Sequence, residues 1–243
     1  MKVLLTGVGK GFGRSYLEYI SLQNKYEILG LTRNLNDFND QEVDQLNKKN
    51  VVLQSIDLSC SESVHAFIKQ NIDFLNSVDI LINNAGQRFR YSVDQLEYQK
   101  LESLFRVNVI TPMMLSSTVL KGMKKRKSGR IINISSILGS SGLAHLSGYS
   151  ATKGAIDSMT RSMAVEYAEF NITINAIAPG FCETSYADSF KKNHELNQEI
   201  IERIPMKRWG KANEINGILD FLISSNASYI TGQVLNVDGG WTS

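Results

Sequence analysis

A serine, a tyrosine and a lysine stand at a spacing suited to acid–base chemistry. Ser136 ends the apolar run RIINISS, Tyr149 follows 13 positions later, and Lys153 lies four positions after Tyr149. Helical residues i and i+4 share one face, so the phenol and the ammonium can meet. A cation about 4 Å away contributes about 4 kcal/mol at an effective dielectric of ~20, which lowers a phenol pKa by at most about three. The pattern favours Tyr149 as a proton donor and Ser136 as the group that orients a carbonyl oxygen. The alternative is an exposed helical pair.

A glycine-rich turn stands near the beginning of the chain, where TGVGKGFG follows an apolar run and opens a helical pattern. The glycines fit the spacing T-G-x-x-x-G-x-G, whereas the last glycine of the commoner G-x-G-x-x-G falls on Phe12. Glycines let the backbone approach a pyrophosphate, and a helix N-terminus offers free N–H groups. The turn therefore predicts a dinucleotide site, the alternative being a turn without a ligand. The residues expected there are Gly7, Lys10, Gly11, Phe12 and Gly13.

The residues after the second predicted strand indicate which dinucleotide binds. Selection of NAD usually needs an acid there that bonds the ribose 2′-hydroxyl, and Leu29–Asn34 contains none. Arg33 and Lys10 are instead two cations that can pair with a 2′-phosphate. Asp37 and Asp40 are expected to lie too far away to replace the missing acid. The pattern favours NADP(H) over NAD(H), unless Arg33 is only a solvated loop residue.

Two further strand ends carry residues that can contact a nucleotide. Asp57 and Leu58 follow VVLQSI, where the aspartate can accept from an adenine amino group or cap the next helix. Asn83, Ala85 and Gly86 belong to the segment NNAG after DILI. Small residues there let a cofactor lie close over the strand, although the segment alone also reads as a turn.

Short β-rich runs alternate with longer helical patterns along the chain. Several runs are almost continuously apolar, which suits parallel strands buried on both faces. Repeated β–α units give a doubly wound α/β sheet that binds ligands beyond the carboxyl ends of its strands. The predicted strands are Lys2–Thr6, Tyr26–Leu31, Val51–Ile56, Val78–Ile82, Arg130–Ile134, Thr173–Ile177 and Gln233–Val237.

Composition excludes several classes of protein. The 243 residues are 42% hydrophobic and 21% charged, as in a globular protein, and nothing suggests a domain boundary. The net charge of +2 provides no strong field for nucleic acid or an anionic membrane. No apolar run approaches the ~20 residues that span a bilayer, and the apolar N-terminus is too short for a signal peptide. Cys60 and Cys182 form no disulfide framework, so a cytoplasmic protein without a metal site is expected.

These motifs together resemble the short-chain dehydrogenase/reductases of about 250 residues. They fall in the family's order and cover essentially the whole chain, and they are most similar to those of 3-oxoacyl-[acyl-carrier-protein] reductases and related NADPH-dependent ketoreductases. The resemblance implies one Rossmann-fold domain over residues 1–243, with a seven-stranded parallel sheet flanked by helices. The matching segments are TGVGKGFG (6–13), DLS (57–59), NNAG (83–86), Asn108 in FRVNV, ISS (134–136), YSATK (149–153), NAIAPGFCET (175–184) and ITGQVLNVDGG (230–240).

The resemblance also implies roles for individual residues. Tyr149 is expected to be the proton donor, Lys153 to lower its pKa and bond the nicotinamide ribose, and Ser136 to hold the substrate oxygen. Asn108 is expected to hold a water of the proton relay, or else to mark a kink in the helix around 96–121. Gly9 stands where a small side chain is more usual. Thr184, after Pro179 and Gly180, is expected to contact the nicotinamide amide or a nearby phosphate.

The substrate is left open among several classes. The resemblance implies reduction of a 3-oxoacyl thioester or a related carbonyl compound, small or linked to a carrier. Arg88 and Arg90 and a polar lid over about 185–206 keep a sugar or nucleotide-sugar oxidoreductase as an alternative, with His145 near the pocket. A non-catalytic NADP(H) sensor is the rival outside enzymes. The resemblance further implies a homotetramer or homodimer.

Overall fold

A computed structural model describes residues 1–184, 187–191 and 193–243. Seven parallel strands form one sheet in the order β3-β2-β1-β4-β5-β6-β9. A separate two-stranded ribbon joins β7 to β8. The strands are β1 (Lys2–Thr6), β2 (Glu27–Thr32), β3 (Val51–Ser55), β4 (Ile80–Asn83), β5 (Gly129–Ile134), β6 (Ile172–Pro179), β7 (Cys182–Glu183), β8 (Gly210–Lys211) and β9 (Val234–Val237).

Helices cover both faces of the sheet. They are α1 (Gly11–Ser21), α2 (Asp40–Asn47), α3 (Ser61–Gln70), α4 (Ile72–Ser77), α5 (Tyr98–Phe105), α6 (Thr111–Arg126), α7 (Ser147–Tyr167), α8 (Asp188–Lys191), α9 (His194–Arg203) and α10 (Asn216–Ile223). The predicted doubly wound sheet is therefore confirmed, and all seven predicted strands are present with ends moved by at most two residues.

Alternation along the strands divides the core into two apolar layers. In β1, Val3 and Leu5 join the layer under α1 and α10, whereas Leu4 joins the layer under α3, α6 and α7. Both faces exclude water, which is why the strands are nearly continuously apolar. The strand order reverses between β1 and β4, and a crevice beyond the strand ends is expected at such a point.

A third apolar cluster lies beyond the carboxyl ends of the strands. Phe190, Ile200 and Ile204, from the segment expected to act as a polar lid, are each no more than 3% exposed in it. The segment is polar in composition as expected, but these three of its apolar side chains are buried in one cluster with Leu138 and Trp209. Its role as a lid stays a prediction. Positions 185, 186 and 192 of the expected lid lie outside the described residues.

One continuous helical stretch, Tyr98–Arg126, is long and apolar enough to cross a membrane. Of its most apolar window, 56% is buried inside the molecule. A core helix passes the same test of length and composition, so this stretch is weak evidence for a membrane span.

Candidate functional site

A cavity of about 770 Å³ opens beyond the carboxyl ends of the central strands. Its wall brings together the glycine turn, the end of β2, the NNAG segment, the serine after β5 and the tyrosine and lysine of α7. The predicted site residues on the wall are Gly7, Lys10, Gly11, Phe12, Arg33, Asp57, Leu58, Ala85, Gly86, Ser136, Tyr149, Lys153, Pro179, Gly180 and Thr184.

The glycine turn has the backbone geometry that only glycine adopts easily. Gly7 and Gly11 have φ angles of +74° and +61°. A β-carbon on Gly7 would lie 2.7 Å from the α-carbon of Ala85. A side chain on Gly7 would therefore collide with the backbone just after β4. The turn leaves the N-terminus of α1 open towards the cavity, as phosphate binding requires.

Gly13 allows close packing between α1 and the glycine turn. It is absent from the cavity wall, because a β-carbon on Gly13 would overlap the carbonyl oxygen of Gly7 and the amide of Asn84. Gly13 therefore lets α1 pack against the turn and does not itself face the cavity. Its predicted contact with the dinucleotide stays a prediction.

Asn84 is a site residue that the sequence analysis missed. Its side-chain amide donates to the carbonyl oxygens of Thr6 at 2.9 Å and Gly7 at 3.0 Å, which ties the end of β4 to the glycine turn. Asn83, predicted to contact the nucleotide, is instead buried, and its amide donates to Ser116 and Asn133. The side chain of Asn83, the last residue of β4, therefore points into the core, and Asn84, the first residue after the strand, lines the cavity instead.

Lys10 and Arg33 both line the end of the cavity beside β2. Within the part of the chain that the structure describes, neither side chain makes a hydrogen bond or an ion pair. Two cations without such partners can bind a phosphate group, and this role of Lys10 and Arg33 stays a prediction.

Asp37 also lines this end of the cavity, contrary to the prediction that it lies too far away. A 3₁₀ turn over Leu35–Asp37 folds the chain back onto β2, and Asp37 Oδ2 lies 3.4 Å from the hydroxyl of Thr32. The separation of Asp37 from β2 along the sequence was misleading, because the turn brings the chain back to the end of β2.

Asp57 lies on the wall with its carboxylate already bonded. Its Oδ1 accepts from the backbone N–H of Ser59 at 2.9 Å and from the Ser59 hydroxyl at 2.7 Å. These bonds hold the pKa of Asp57 below its usual value, with the Ser59 hydroxyl as the main cause. The N-cap position of α3 belongs to Cys60, so the alternative that Asp57 caps this helix is not seen.

Lys153 is the most perturbed basic group of the site. It is 4% exposed, its Nζ donates to the carbonyl oxygen of Ile134 at 2.7 Å, and it lies 5.6 Å from the ring centre of Tyr149. Burial lowers the pKa of Lys153 to about 8, and Asp157 one turn further along α7 opposes this shift. Ser136 is 9% exposed on the same wall. The three predicted residues are therefore brought together.

The buried pair Ser135 and Asp157 is a second feature that the sequence analysis missed. The Ser135 hydroxyl donates to Asp157 Oδ1, and this bond joins the end of β5 to α7. Burial is the main cause that raises the pKa of Asp157. The pair ties the segment just after β5, which contains Ser136, to the helix that carries Lys153.

Asn108 lies in a single π-helical turn, Arg106–Ile110, between α5 and α6. Its amide donates to the Gln87 carbonyl and to the Thr152 hydroxyl, and its oxygen accepts from the Gln87 N–H at 2.7 Å. Asn108 is 1% exposed and is not part of the cavity wall. The π-helical turn lies where the alternative of a kink was expected, and the water-holding role stays a prediction.

The loop after β6 closes the cavity opposite the glycine turn. A β-carbon on Gly180 would lie 2.7 Å from Asp238 Cβ, so the loop packs tightly on the chain after β9. Thr184 faces the glycine turn: its Cβ lies 3.6 Å from the point where a β-carbon on Gly11 would be. Thr184 therefore lies beside the turn that is predicted to bind the phosphates, and its own contact with a cofactor stays a prediction.

The end of the cavity beyond Tyr149 is aromatic and carries a positive charge. Phe89, Phe181 and Trp209 form its walls, together with Arg88. The guanidinium carbons of Arg88 and Arg90 lie 4.9 and 5.2 Å from the ring centre of Phe190. Arg90 and His145 are not on this wall, and His145 lines a separate small cavity of about 10 Å³.

The chemistry of the wall fits a nicotinamide dinucleotide. Glycines without β-carbons, an open helix N-terminus and two cations lie at one end, and a buried ammonium beside a phenol lies at the other. Among the described residues, no group of three His, Cys, Asp or Glu could hold a metal ion. Cys60 and Cys182 are free, and burial raises the pKa of Cys182 on the wall to about 12.

This fold and site define a class of NAD(P)-binding oxidoreductase, and the sequence comparisons agree. The family described as Enoyl-(Acyl carrier protein) reductase matches residues 26–242. The chain belongs to the short-chain dehydrogenase/reductase superfamily.

Two curated relatives show how broad the likeness is. A 2-dehydro-3-deoxy-D-gluconate 5-dehydrogenase from Bacillus subtilis (strain 168) is 31% identical over 240 residues, which is 99% of this chain and 94% of the relative. A 3-oxoacyl-[acyl-carrier-protein] reductase from Vibrio cholerae is 32% identical over 237 residues, with 98% and 95% covered. The chain is thus about equally similar to two enzymes with different substrates.

Two solved structures that resemble this chain contain different cofactors. A putative NAD(P)-dependent gluconate 5-dehydrogenase from Beutenbergia cavernae, with NADP bound at low occupancy, has a TM-score of 0.92 and 30% identity, and covers 99% of this chain and 96% of its own. A 4-hydroxyisoleucine dehydrogenase complexed with NADH has a TM-score of 0.91 and 31% identity, with 99% and 98% covered.

Proposed function

We propose that this protein is an NADPH-dependent ketoreductase in which Tyr149 donates the proton. The observation that carries the proposal is the buried ammonium of Lys153 beside the Tyr149 ring, on one wall with Ser136 and the glycine turn. A phenol needs such a cation to work as an acid–base group near neutral pH.

The chain's own residues perform positioning and proton transfer. The Ser136 hydroxyl donates to the substrate carbonyl oxygen and orients it. Tyr149 transfers its phenolic proton to that oxygen as the carbonyl carbon is reduced, and Lys153 stabilises the phenolate that forms. The bound cofactor supplies the hydride. Oxidation of the alcohol reverses each of these transfers.

Arg33 and Lys10 support a preference for NADP(H). Both are cations on the wall beside β2, and the guanidinium fork matches the oxygens of a 2′-phosphate. Replacement of Arg33 by alanine should weaken NADPH binding far more than NADH binding. Equal losses for the two cofactors would contradict this role.

Two classes of substrate are proposed. The first is a 3-oxoacyl thioester, in keeping with the relative from Vibrio cholerae and with the aromatic wall of Phe89, Phe181 and Trp209. The second is a sugar acid or another hydroxy acid. Arg88 on the substrate side of the wall favours this second class, because a guanidinium pairs with a carboxylate. The gluconate-related names of two similar proteins agree with it.

Oxidation of NADPH with a panel of three ketones tests the proposal. The panel holds a 3-oxoacyl thioester, the keto form of a sugar acid, and a diketone. Turnover of the thioester would support the first class, and turnover of the sugar acid the second. Tight NADPH binding without turnover of any ketone would favour the rival sensor over an enzyme.

The proposal includes assembly as a homotetramer or homodimer in the cytoplasm. Exposed apolar residues on α6 and α7 support assembly: Met113 is 47% exposed and Val165 is 84% exposed. Light scattering on the purified protein measures the assembly, and a monomer at all concentrations would contradict it.

A further inference from the structure

The substrate end of the cavity combines one positive charge with apolar walls. We propose that its substrate is an oxo acid with an apolar carbon body. The ketone lies at Ser136 and Tyr149, the carboxylate pairs with Arg88, and the carbon body packs against the aromatic walls. Only the ketone reacts: it becomes an alcohol by the transfers proposed above, and the carboxylate is unchanged. This inference rests on the ketoreductase function and selects within its second substrate class.

Arg88 lies within a small molecule's length of the reacting groups. The segment after β4 begins beside Lys153, because a β-carbon on Gly86 would lie 3.8 Å from Lys153 Nζ. Arg88 is two residues further on, which is at most about 7 Å of chain. Its side chain is half-buried and lines the cavity. A guanidinium in this position can orient a ketone through a carboxylate a few bonds away.

The Arg88 guanidinium is held beside aromatic rings. Its central carbon lies 4.9 Å from the ring centre of Phe190, which is 1% exposed. The Phe190 ring contacts Phe181 edge to face with ring centres 5.8 Å apart, and it lies 6.3 Å from Trp209. The charge therefore has apolar neighbours. Because these rings keep water away, a pairing of the guanidinium with a carboxylate is stronger there than in open solvent.

The aromatic walls offer carbon faces to a substrate. The indole N–H of Trp209, which is its one polar group, already donates to Asn197 Oδ1 at 2.9 Å. Phe181 packs edge to face on Trp209 with ring centres 5.4 Å apart, and its ring centre lies 4.7 Å from that of Trp241. Both wall rings are therefore held from behind. An apolar carbon body gains free energy when these rings remove it from water.

Polar groups on this side of the cavity are already engaged, which disfavours a sugar acid. The backbone N–H and C=O of Gln87 bond Asn108, and its Oε1 accepts from the Ser103 hydroxyl at 3.2 Å. Burial raises the pKa of Cys182 on the wall to about 12, so its thiol stays protonated and is a weak partner. Sugar hydroxyls would lose their hydrogen bonds to water and find few partners among the described residues of this wall.

Steady-state reduction of matched ketones by NADPH tests the inference. The probes are seven-carbon oxo acids with the ketone at the second, fourth or fifth carbon, each beside its uncharged amide, and a sugar acid in its keto form. Wild-type protein should have a higher kcat/KM for at least one oxo acid than for its amide and for the sugar acid. Arg88→Gln should lower the ratio of acid to amide by about 10- to 100-fold, the value of one hydrogen bond to a charged group.

Arg90→Gln is the matched control. The Arg90 guanidinium lies 5.2 Å from the same Phe190 ring, but Arg90 is exposed and is not on the cavity wall. Its replacement should therefore leave the ratio of acid to amide unchanged. Arg88→Lys keeps a positive charge without the planar fork and should retain part of the preference for the acid.

The outcomes separate this inference from the proposed function. Reduction of the amides as efficiently as the acids, or an equal change of the ratio in Arg88→Gln and Arg90→Gln, would overturn the carboxylate pairing. Faster reduction of the sugar acid than of every oxo acid would overturn the apolar body. Turnover of a 3-oxoacyl thioester alone would overturn the inference and leave the ketoreductase function standing. Reduction of no ketone at all would overturn both.

Discussion

At the residue scale, the surroundings of Lys153 set the pH range of the site. Burial lowers its pKa to about 8, and the Asp157 carboxylate, which also faces Ser135 and Arg161, raises it. The ammonium is present below this pKa and is lost as the pH rises through it. Reduction that depends on the ammonium should therefore decline on the alkaline side.

The replacement Asp157→Asn should move that alkaline decline to lower pH. The asparagine oxygen can still accept from Ser135, but the charge that raises the pKa of Lys153 is gone. The pH profile of kcat/KM measures the change, with Asp220→Asn as a control on α10. A decline at the same or a higher pH would contradict the coupling.

Local spacing made the catalytic residues predictable, whereas the cofactor contacts depended on long-range geometry. Tyr149 and Lys153 are neighbours on one helix, so their approach follows from helical spacing alone. The sequence analysis chose Asn83 as the cavity residue, whereas the structure has Asn84 there. In an extended chain, neighbouring side chains point to opposite sides, so an error of one residue selects the wrong face. Asp37 could not be placed because nothing in NLND specifies how far the turn folds back.

At the scale of elements, Gly13 determines how α1 meets the glycine turn. Gly13→Ala should overpack this contact and destabilise the protein by about 1–3 kcal/mol, which lowers Tm by about 2–4 °C for each kcal/mol. Calorimetry measures the loss. Gly217→Ala on α10 is the matched control, since nothing lies within 4 Å of its added carbon, and it should leave Tm unchanged or raise it. Equal Tm values for the two variants would refute the packing role.

The π-helical turn depends on the three hydrogen bonds of Asn108. Asn108→Ala would leave the partly buried N–H and carbonyl of Gln87 without these partners, at a cost of about 1 kcal/mol or more. Urea unfolding measures the change, and Thr152→Val, which removes one of the three bonds, should cost less. A larger loss for Thr152→Val would show that the turn is held in another way.

The strands of the main sheet were predictable because their sequences are almost continuously apolar. The apolar strands were found because both of their faces are buried. The ribbon of Cys182–Glu183 with Gly210–Lys211 was missed, since two residues are too few to show a period. The buried anchors of α8 and α9 were missed because they are scattered among polar residues.

At the scale of the whole molecule, cofactor binding should stabilise the fold. The cavity joins the glycine turn, β2, β4, β5 and α7, so a ligand in it links distant parts of the chain. NADPH at 100 times its dissociation constant should add about 2.7 kcal/mol, which raises Tm by about 5–10 °C. Thermal unfolding with and without NADPH measures the shift, and an unchanged Tm would mean that the cavity does not bind it.

The measurement that tests the central claim most directly is NADPH oxidation by wild-type protein and by Tyr149→Phe, with the ketone that turns over best. The variant should bind NADPH as wild-type protein does and lose at least about 10²-fold in turnover, because the proton donor is removed and the fold is kept. Tyr98→Phe is the matched control, since Tyr98 is 74% exposed outside the cavity. Wild-type turnover in Tyr149→Phe would contradict the proposed mechanism.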